Sequence, residues 1–144
     1  MSKRIVLAAV MLAIWVTASA AKDESKQEQC PTLDAREIED MLQKAPSCQR
    51  AVAVFETCQF GSSGDVGLGA VVIEKCEADF LGKLTAAQRR AYDGEQKRCS
   101  RKYLNKSGTM YRSFEAFCVA YVARDYSARA RSRTLAPDAS SHRR

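Results

Sequence analysis

The chain has 144 residues, of which 46% are hydrophobic, a length and composition typical of one globular domain with a buried core. It contains 23 Lys and Arg residues against 17 Asp and Glu residues, a formal net charge of +6, and one histidine, His142 near the C-terminus. Nucleophilic sites that depend on a histidine in the folded body are therefore excluded.

The first twenty residues have the three parts of a secretory signal peptide. Ser2-Lys3-Arg4 is a short basic segment, an apolar run extends from Ile5 to Val16, and Ala18-Ser19-Ala20 is a small-x-small cleavage site. The alternative, an uncleaved anchor, is disfavoured because a membrane-spanning helix needs roughly 18–20 apolar residues. We therefore expect cleavage near Ala20 and a secreted or periplasmic protein that does not span the membrane.

The remaining chain divides into three parts by composition. Residues 21–29 are polar and are predicted to be a flexible leader. Residues 30–126 carry the helical patterns and all six cysteines, and are predicted to form the folded domain. Residues 127–144 are rich in Arg, Ser and Ala and lack apolar periodicity, which predicts a frayed helix end followed by a basic disordered tail.

Two helices are predicted in the acidic first part of the domain. The first extends from Pro31 to Ala45, with Asp34 as a capping residue, and Pro46 ends it. The second extends from Cys48 to Phe60, and Ser47 is its predicted N-cap.

A third helix is predicted after the break at Gly61–Gly64, with Asp65 as its N-cap. Val71-Val72-Ile73 taken alone would suit a strand, but it lies within a longer pattern of helical period, so a helix is favoured. The residues of that pattern are Leu68, Val72, Ile73, Cys76, Phe80 and Leu81.

The fourth and fifth helices form an αα-hairpin. Thr85 and Gln88 have the spacing of a capping box, and Asn105–Gly108 supplies the turn. One face of the fourth helix carries Tyr92, Glu95/Gln96, Cys99 and Tyr103. The predicted buried face of the fifth carries Met110, Phe114, Phe117, Cys118, Tyr121 and Val122.

Six cysteines in a secreted chain predict three disulfides. A metal site is not expected, since there is no CxxC pair and His142 lies in the tail, and no cofactor motif is present. Six cysteines allow 15 connectivities. Residues equidistant from a turn face each other in a helical hairpin, which favours Cys30–Cys58, Cys48–Cys76 and Cys99–Cys118. The sequence thus predicts an all-α fold of about five helices in antiparallel hairpins, stapled by three disulfides.

Carboxylates are the remaining candidates for catalysis. They form three groups along the chain: Glu37/Glu39/Asp40, Glu74/Glu77/Asp79 and Asp93/Glu95. Acidic residues at such spacing are most often a solvated helix face. We therefore do not expect an enzyme.

A basic segment extends from Lys75 to Arg112, with ten basic and four acidic residues and with tyrosines among them. It suits an anionic partner such as nucleic acid, anionic lipid or acidic glycan. The favoured alternative is that Tyr92 and Tyr103 belong to the core and the cations form a solvated face. No specific nucleic acid partner is predicted, and the arginine-rich tail is a second candidate for weak, salt-sensitive anion binding.

The spacing within the hairpin resembles a known family. Leu84 precedes Gln88, Cys99 follows Gln88 by eleven residues, and Gly108-Thr109 starts ten residues before Cys118. This pattern is similar to that of the LprI-type lysozyme-inhibitor family of small secreted bacterial proteins. The resemblance implies an all-helical secreted or periplasmic domain that binds and inhibits lysozyme. The alternative is a cell-envelope or anion-binding structural protein that uses the basic face and the arginine-rich tail.

Overall fold

The computed structural model describes residues 29–135, and within that range the chain is all-helical, with no strand. Its helices are α1 (Ala35–Lys44), α2 (Cys48–Thr57), α3 (Asp65–Glu77), α4 (Ala86–Tyr103) and α5 (Thr109–Leu135). A 3-10 turn at Leu81–Lys83 separates α3 from α4. The all-α prediction is confirmed. The predicted signal peptide, leader residues 21–28 and tail residues 136–144 lie outside the described residues.

Side-chain caps set the starts of three helices. The Asp34 carboxylate accepts hydrogen bonds from the backbone N–H groups of the first turn of α1, so that helix begins at Ala35 rather than at the predicted Pro31. Ser47 caps α2 as predicted. At α4 the capping box is complete: Thr85 accepts from the Gln88 N–H, and the Gln88 side chain accepts from the Thr85 N–H at 2.8 Å.

Three disulfides hold the helices together. They join Cys30 to Cys58, Cys48 to Cys76, and Cys99 to Cys118, the pairing that the hairpin geometry predicts. The first two close loops of 28 residues around α1–α2 and α2–α3, and the third ties α4 to α5. The chain-entropy model gives each bridge a contribution of roughly 2–4 kcal/mol through the unfolded state.

The long helix α5 is the centre of the fold, and α2, α3 and α4 all pack on it. It runs parallel to α3, because Asp65 bonds to Ser113 and Asp79 bonds to Ser127, two pairs of equal separation along the chain. The stacked rings of Phe55 and Phe117, 4.0 Å apart, join α2 to α5.

The face that α5 buries differs from the predicted one. Small side chains form it: Ser113, Ala116, Ala120, Ala123 and Ser127. The predicted Met110 and Phe114 are 48% and 43% exposed, and the other large residues of that face are partly buried at its flanks. The cause is the close approach of α3, where a Cβ added at Gly69 would lie only 3.1 Å from the Ala116 Cβ.

The helix α5 also extends past the predicted domain boundary at Tyr126. Ser127 is buried and donates a hydrogen bond to Asp79, while the Arg129 guanidinium lies 4.1 Å from the centre of the Tyr126 ring. The helix continues to Leu135, so the helix end predicted beyond Tyr126 covers residues 127–135.

No helix of residues 29–135 is both long enough and apolar enough to cross a bilayer.

Candidate functional site

The loop between α2 and α3, residues 60–65, is held by one buried carboxylate. Asp65 is fully buried and accepts hydrogen bonds from the N–H of Phe60 at 2.7 Å and the N–H of Ser62 at 3.2 Å. The buried Ser113 hydroxyl of α5 donates to the same carboxylate at 2.6 Å. Asp65 was predicted as an N-cap, but α3 has no side-chain cap, and Asp65 instead fixes the loop to α5.

The outer surface of this loop is small and partly apolar. Gly61 has a positive φ of 66°, which reverses the chain within the loop, and Ser63 and Gly64 are exposed. Exposed Phe60 and Val66 stand at the two ends of the loop. Beside it, a shallow groove of about 610 Å³ runs between α3 and α5, lined by Ser63, Val66, Gly69, Ala70, Ile73, Arg112, Glu115, Ala116 and Val119.

A carboxylate of α1 lies near the loop, beside the first turn of α3. Glu39 of α1 lies beside Gly67 in the first turn of α3, and Glu37 and Asp40 are exposed on the same helix. A partner that contacts the loop from this side meets negative charge.

The residues that carry the family resemblance lie in the hairpin rather than in this loop. Leu84 is partly buried against the core, and Gln88 belongs to the α4 capping box. Gly108 has a φ of +109° at the α4–α5 turn, and Thr109 is the first residue of α5. These positions explain the shape of the hairpin: they start its first arm and close its turn.

Several of the candidate catalytic carboxylates are hydrogen-bonded to tyrosines or serines in the structure. Glu77 accepts from the buried Tyr92 hydroxyl at 2.7 Å, and Glu95 accepts from the Tyr126 hydroxyl at 3.0 Å. Asp79 accepts from Ser127. Burial, followed by the bond to Glu77, raises the pKa of Tyr92 far above its ordinary value. Glu77 thus joins α3 to α4, Glu95 joins α4 to α5, and Asp79 joins the segment after α3 to α5.

The cations of α4 are exposed, and Asp93 lies among them, one turn from both Arg89 and Lys97. The six cations, Arg89, Arg90, Lys97, Arg98, Arg101 and Lys102, are all exposed, and none forms an ion pair within the described residues. Tyr92 is buried as predicted, and Tyr103 is partly buried with Lys102 5.1 Å from its ring centre.

Four helix ends meet at one end of the molecule, which we call the turn end. The ends of α2 and α4 and the starts of α3 and α5 lie there, since Asp65 bonds to Ser113 and a groove joins Gln59 to Phe114. Among residues 29–134, five of the six exposed large hydrophobic side chains belong to these helix ends: Phe60, Val66, Leu104, Met110 and Phe114. Sequence patterns missed this cluster, because Met110 and Phe114 have the spacing of a buried stripe.

No cluster of three or more His, Cys, Asp or Glu residues in the described part of the chain is arranged to hold a metal ion. His142 lies outside that part.

Comparison of the chain with protein-family models, with curated proteins and with solved structures finds no match. The resemblance to LprI-type inhibitors therefore remains a prediction from residue spacing.

Proposed function

We propose that this protein is a secreted, non-enzymatic binding protein that inhibits a lysozyme by placing loop 60–65 against the target's cleft. The observation that supports the proposal is the set of three hydrogen bonds that Asp65 accepts, here called the Asp65 clamp. They come from two backbone N–H groups of the loop and from the Ser113 hydroxyl, and they fix the loop from inside. The resemblance of the Gln88–Cys118 spacing to LprI-type inhibitors supplies the target.

Rigidity of the loop is what a tight inhibitor needs. Ordering a mobile loop on binding costs free energy, and a loop already held in shape avoids that cost. Here the loop also begins two residues after Cys58, and Cys58 is bonded to Cys30. The loop is therefore anchored at both of its ends before any partner arrives.

The α1 side of the loop suits a basic target better than the α4 side does. Glu39 lies on the α1 side, beside Gly67, and would attract a basic lysozyme, whereas the cationic α4 would repel it. The loop is narrow enough to enter a cleft, because Ser62, Ser63 and Gly64 are small. This geometry predicts that the partner binds across the loop and α1.

A binding role without catalysis fits the placement of the carboxylates. Glu77, Asp79 and Glu95 each accept a hydrogen bond from a side chain of α4 or α5, which assigns them a structural role.

The test is a bacterial lysis assay with purified, oxidised residues 21–144 and several types of lysozyme. Wild-type protein should inhibit in a dose-dependent way. Ser63→Tyr should abolish inhibition, because the larger side chain keeps loop 60–65 out of the cleft. Ser100→Tyr, the same change at an exposed site of α4, should leave inhibition intact. Failure to inhibit any lysozyme, or equal inhibition by both variants, would refute the proposal.

The second candidate function is anion binding through the α4 face, favoured by the absence of ion pairs there. Binding of this kind weakens steeply with salt, because exposed charges are screened beyond about 10 Å at 0.1 M ionic strength. Inhibition through a buried loop contact should persist in the same salt. Retention of the protein on an anionic resin that is insensitive to Arg98→Gln and Arg101→Gln would count against this candidate.

A further inference from the structure

The tip of the α4–α5 hairpin, residues 101–114, exposes large apolar side chains that nothing in the described chain covers. Leu104 is 73% exposed and Met110 48%, and they stand on either side of the turn at Gly108. Phe114 is 43% exposed and its ring lies 6.0–6.2 Å from those of Tyr111 and Tyr103. Contiguous exposed apolar groups of this kind mark an interaction surface.

The same tip is strongly cationic. Its residues include four cations and no carboxylate, Arg101, Lys102, Lys106 and Arg112, and Lys97 and Arg98 lie one turn further back on α4. All six are exposed, and only Arg112 forms an ion pair, with Glu115 at the inner edge of the tip. Apolar side chains are thus surrounded by positive charge with almost no internal counter-charge.

The tip keeps its shape without a partner. Cys99–Cys118 joins the two arms just behind it, and Gly108 closes the turn with a φ of +109° that other residues rarely adopt. An exposed leucine, methionine and phenylalanine are therefore held out into solvent by a rigid support.

We propose that this tip docks onto an anionic lipid bilayer. Leu104, Met110 and Phe114 enter the boundary between headgroups and acyl chains, Tyr103 and Tyr111 lie at headgroup level, and the cations contact lipid phosphates. A hydrated polyanion would satisfy the cations but would leave the aliphatic side chains of Leu104 and Met110 in water. A bilayer satisfies both, which is why it is the partner that the tip fits best.

This docking does not depend on lysozyme inhibition, since it uses other residues. Loop 60–65 and the tip both lie at the turn end, but Ser63→Tyr leaves the tip unchanged. A chain that binds vesicles without inhibiting lysozyme would refute the first proposal and keep this one.

The insertion can be observed by fluorescence. The one tryptophan of the sequence, Trp15, lies in the predicted signal peptide, so the chain 21–144 has none and Leu104→Trp places a single reporter at the tip. Its emission should shift to the blue with vesicles that contain phosphatidylglycerol and stay constant with pure phosphatidylcholine. The matched control is Ala78→Trp, at an exposed alanine at the end of α3 opposite the turn end, whose emission should not shift.

Vesicle co-sedimentation of the chain 21–144 separates insertion from simple charge attraction. Leu104→Ser with Met110→Ser should weaken binding at least about tenfold, since two apolar side chains lose their burial. Lys106→Gln should weaken it about fivefold, and Arg90→Gln at the far end of α4 much less. Unchanged emission of Leu104→Trp, or unchanged binding of the Leu104/Met110 variant, would overturn the proposal and leave a charge-only surface.

Discussion

Replacement of the buried Asp65 by alanine is expected to destabilise the protein strongly, because the Asp65 carboxylate fixes loop 60–65 to α5. The carboxylate accepts three hydrogen bonds, from Phe60 N–H, Ser62 N–H and the Ser113 hydroxyl. Hydrogen bonds to charged groups contribute about 1.5–3 kcal/mol each, but the two N–H groups lie near solvent and can regain water. The Ser113 hydroxyl is buried and cannot. We therefore expect Asp65→Ala to lower the free energy of unfolding by about 3–5 kcal/mol.

The assay is urea unfolding with the disulfides intact, combined with hydrogen exchange at the Phe60 and Ser62 amides. Ser113→Ala alone should cost about 1–2 kcal/mol, and the double variant should cost no more than Asp65→Ala, because the two residues share one interaction. Asp40→Ala removes an exposed carboxylate that pairs with Lys44 and should stay within about 0.5 kcal/mol. A loss below about 1 kcal/mol for Asp65→Ala, or additive effects with Ser113→Ala, would refute the clamp.

Three further predictions follow from packing, titration and cross-linking. In thermal unfolding, Gly94→Ala should stabilise the protein by about 0.5–1 kcal/mol, since a Cβ added there contacts no other atom. Gly69→Val should destabilise it by about 1–3 kcal/mol, because the added side chain collides with Ala116. Similar effects of the two changes would contradict the close approach of α3 to α5. Because the pKa of Tyr92 is raised in the folded state, its contribution to the free energy of unfolding is fully present below pH ~10 and is lost above that pH, by up to about 1.4 kcal/mol per pH unit. The free energy of unfolding of Tyr92→Phe should therefore fall less steeply with rising pH than that of the wild type. Parallel pH dependences of the two proteins would contradict a raised pKa of Tyr92. Joint replacement of Cys99 and Cys118 by alanine should lower the free energy of unfolding by about 3 kcal/mol. Hydrogen exchange should become faster first in α4, which packs chiefly on α5. A uniform loss of protection would contradict this and would show that α4 opens only with the whole domain.

Local signals in the sequence were sufficient to predict the helices and the caps of α2 and α4. Ser47 and the pair Thr85/Gln88 act within one turn of the chain, so the residues that form the cap are also those that predict it. The disulfide pairing followed from turn positions, because cysteines equidistant from a turn meet across a hairpin.

The parts that depend on distant contacts were not predictable in the same way. Asp65 looks like an N-cap, and its partner Ser113 lies 48 residues further along the chain. The buried face of α5 consists of small residues because Gly69 brings α3 close, so hydrophobic periodicity selected Met110 and Phe114 instead. The extension of α5 to Leu135 depends on Asp79, which no local pattern links to Ser127.

The candidate surfaces also differ in whether local sequence or distant contacts determine them. The cationic character of α4 could be predicted from composition alone, and the loop at Gly61–Gly64 from its residue types. What composition does not contain is that four helix ends meet, which brings the loop, Leu104 and Met110 to the turn end.

The most direct test of the account is hydrogen exchange of the chain 21–144, free and with a saturating amount of an inhibited lysozyme. We predict added protection at the amides of residues 60–66 and on α1, with the amides of the hairpin tip at 104–110 unchanged. Protection confined to α4 or to the tip, or no change at the loop, would contradict loop 60–65 as the site where this protein meets its target.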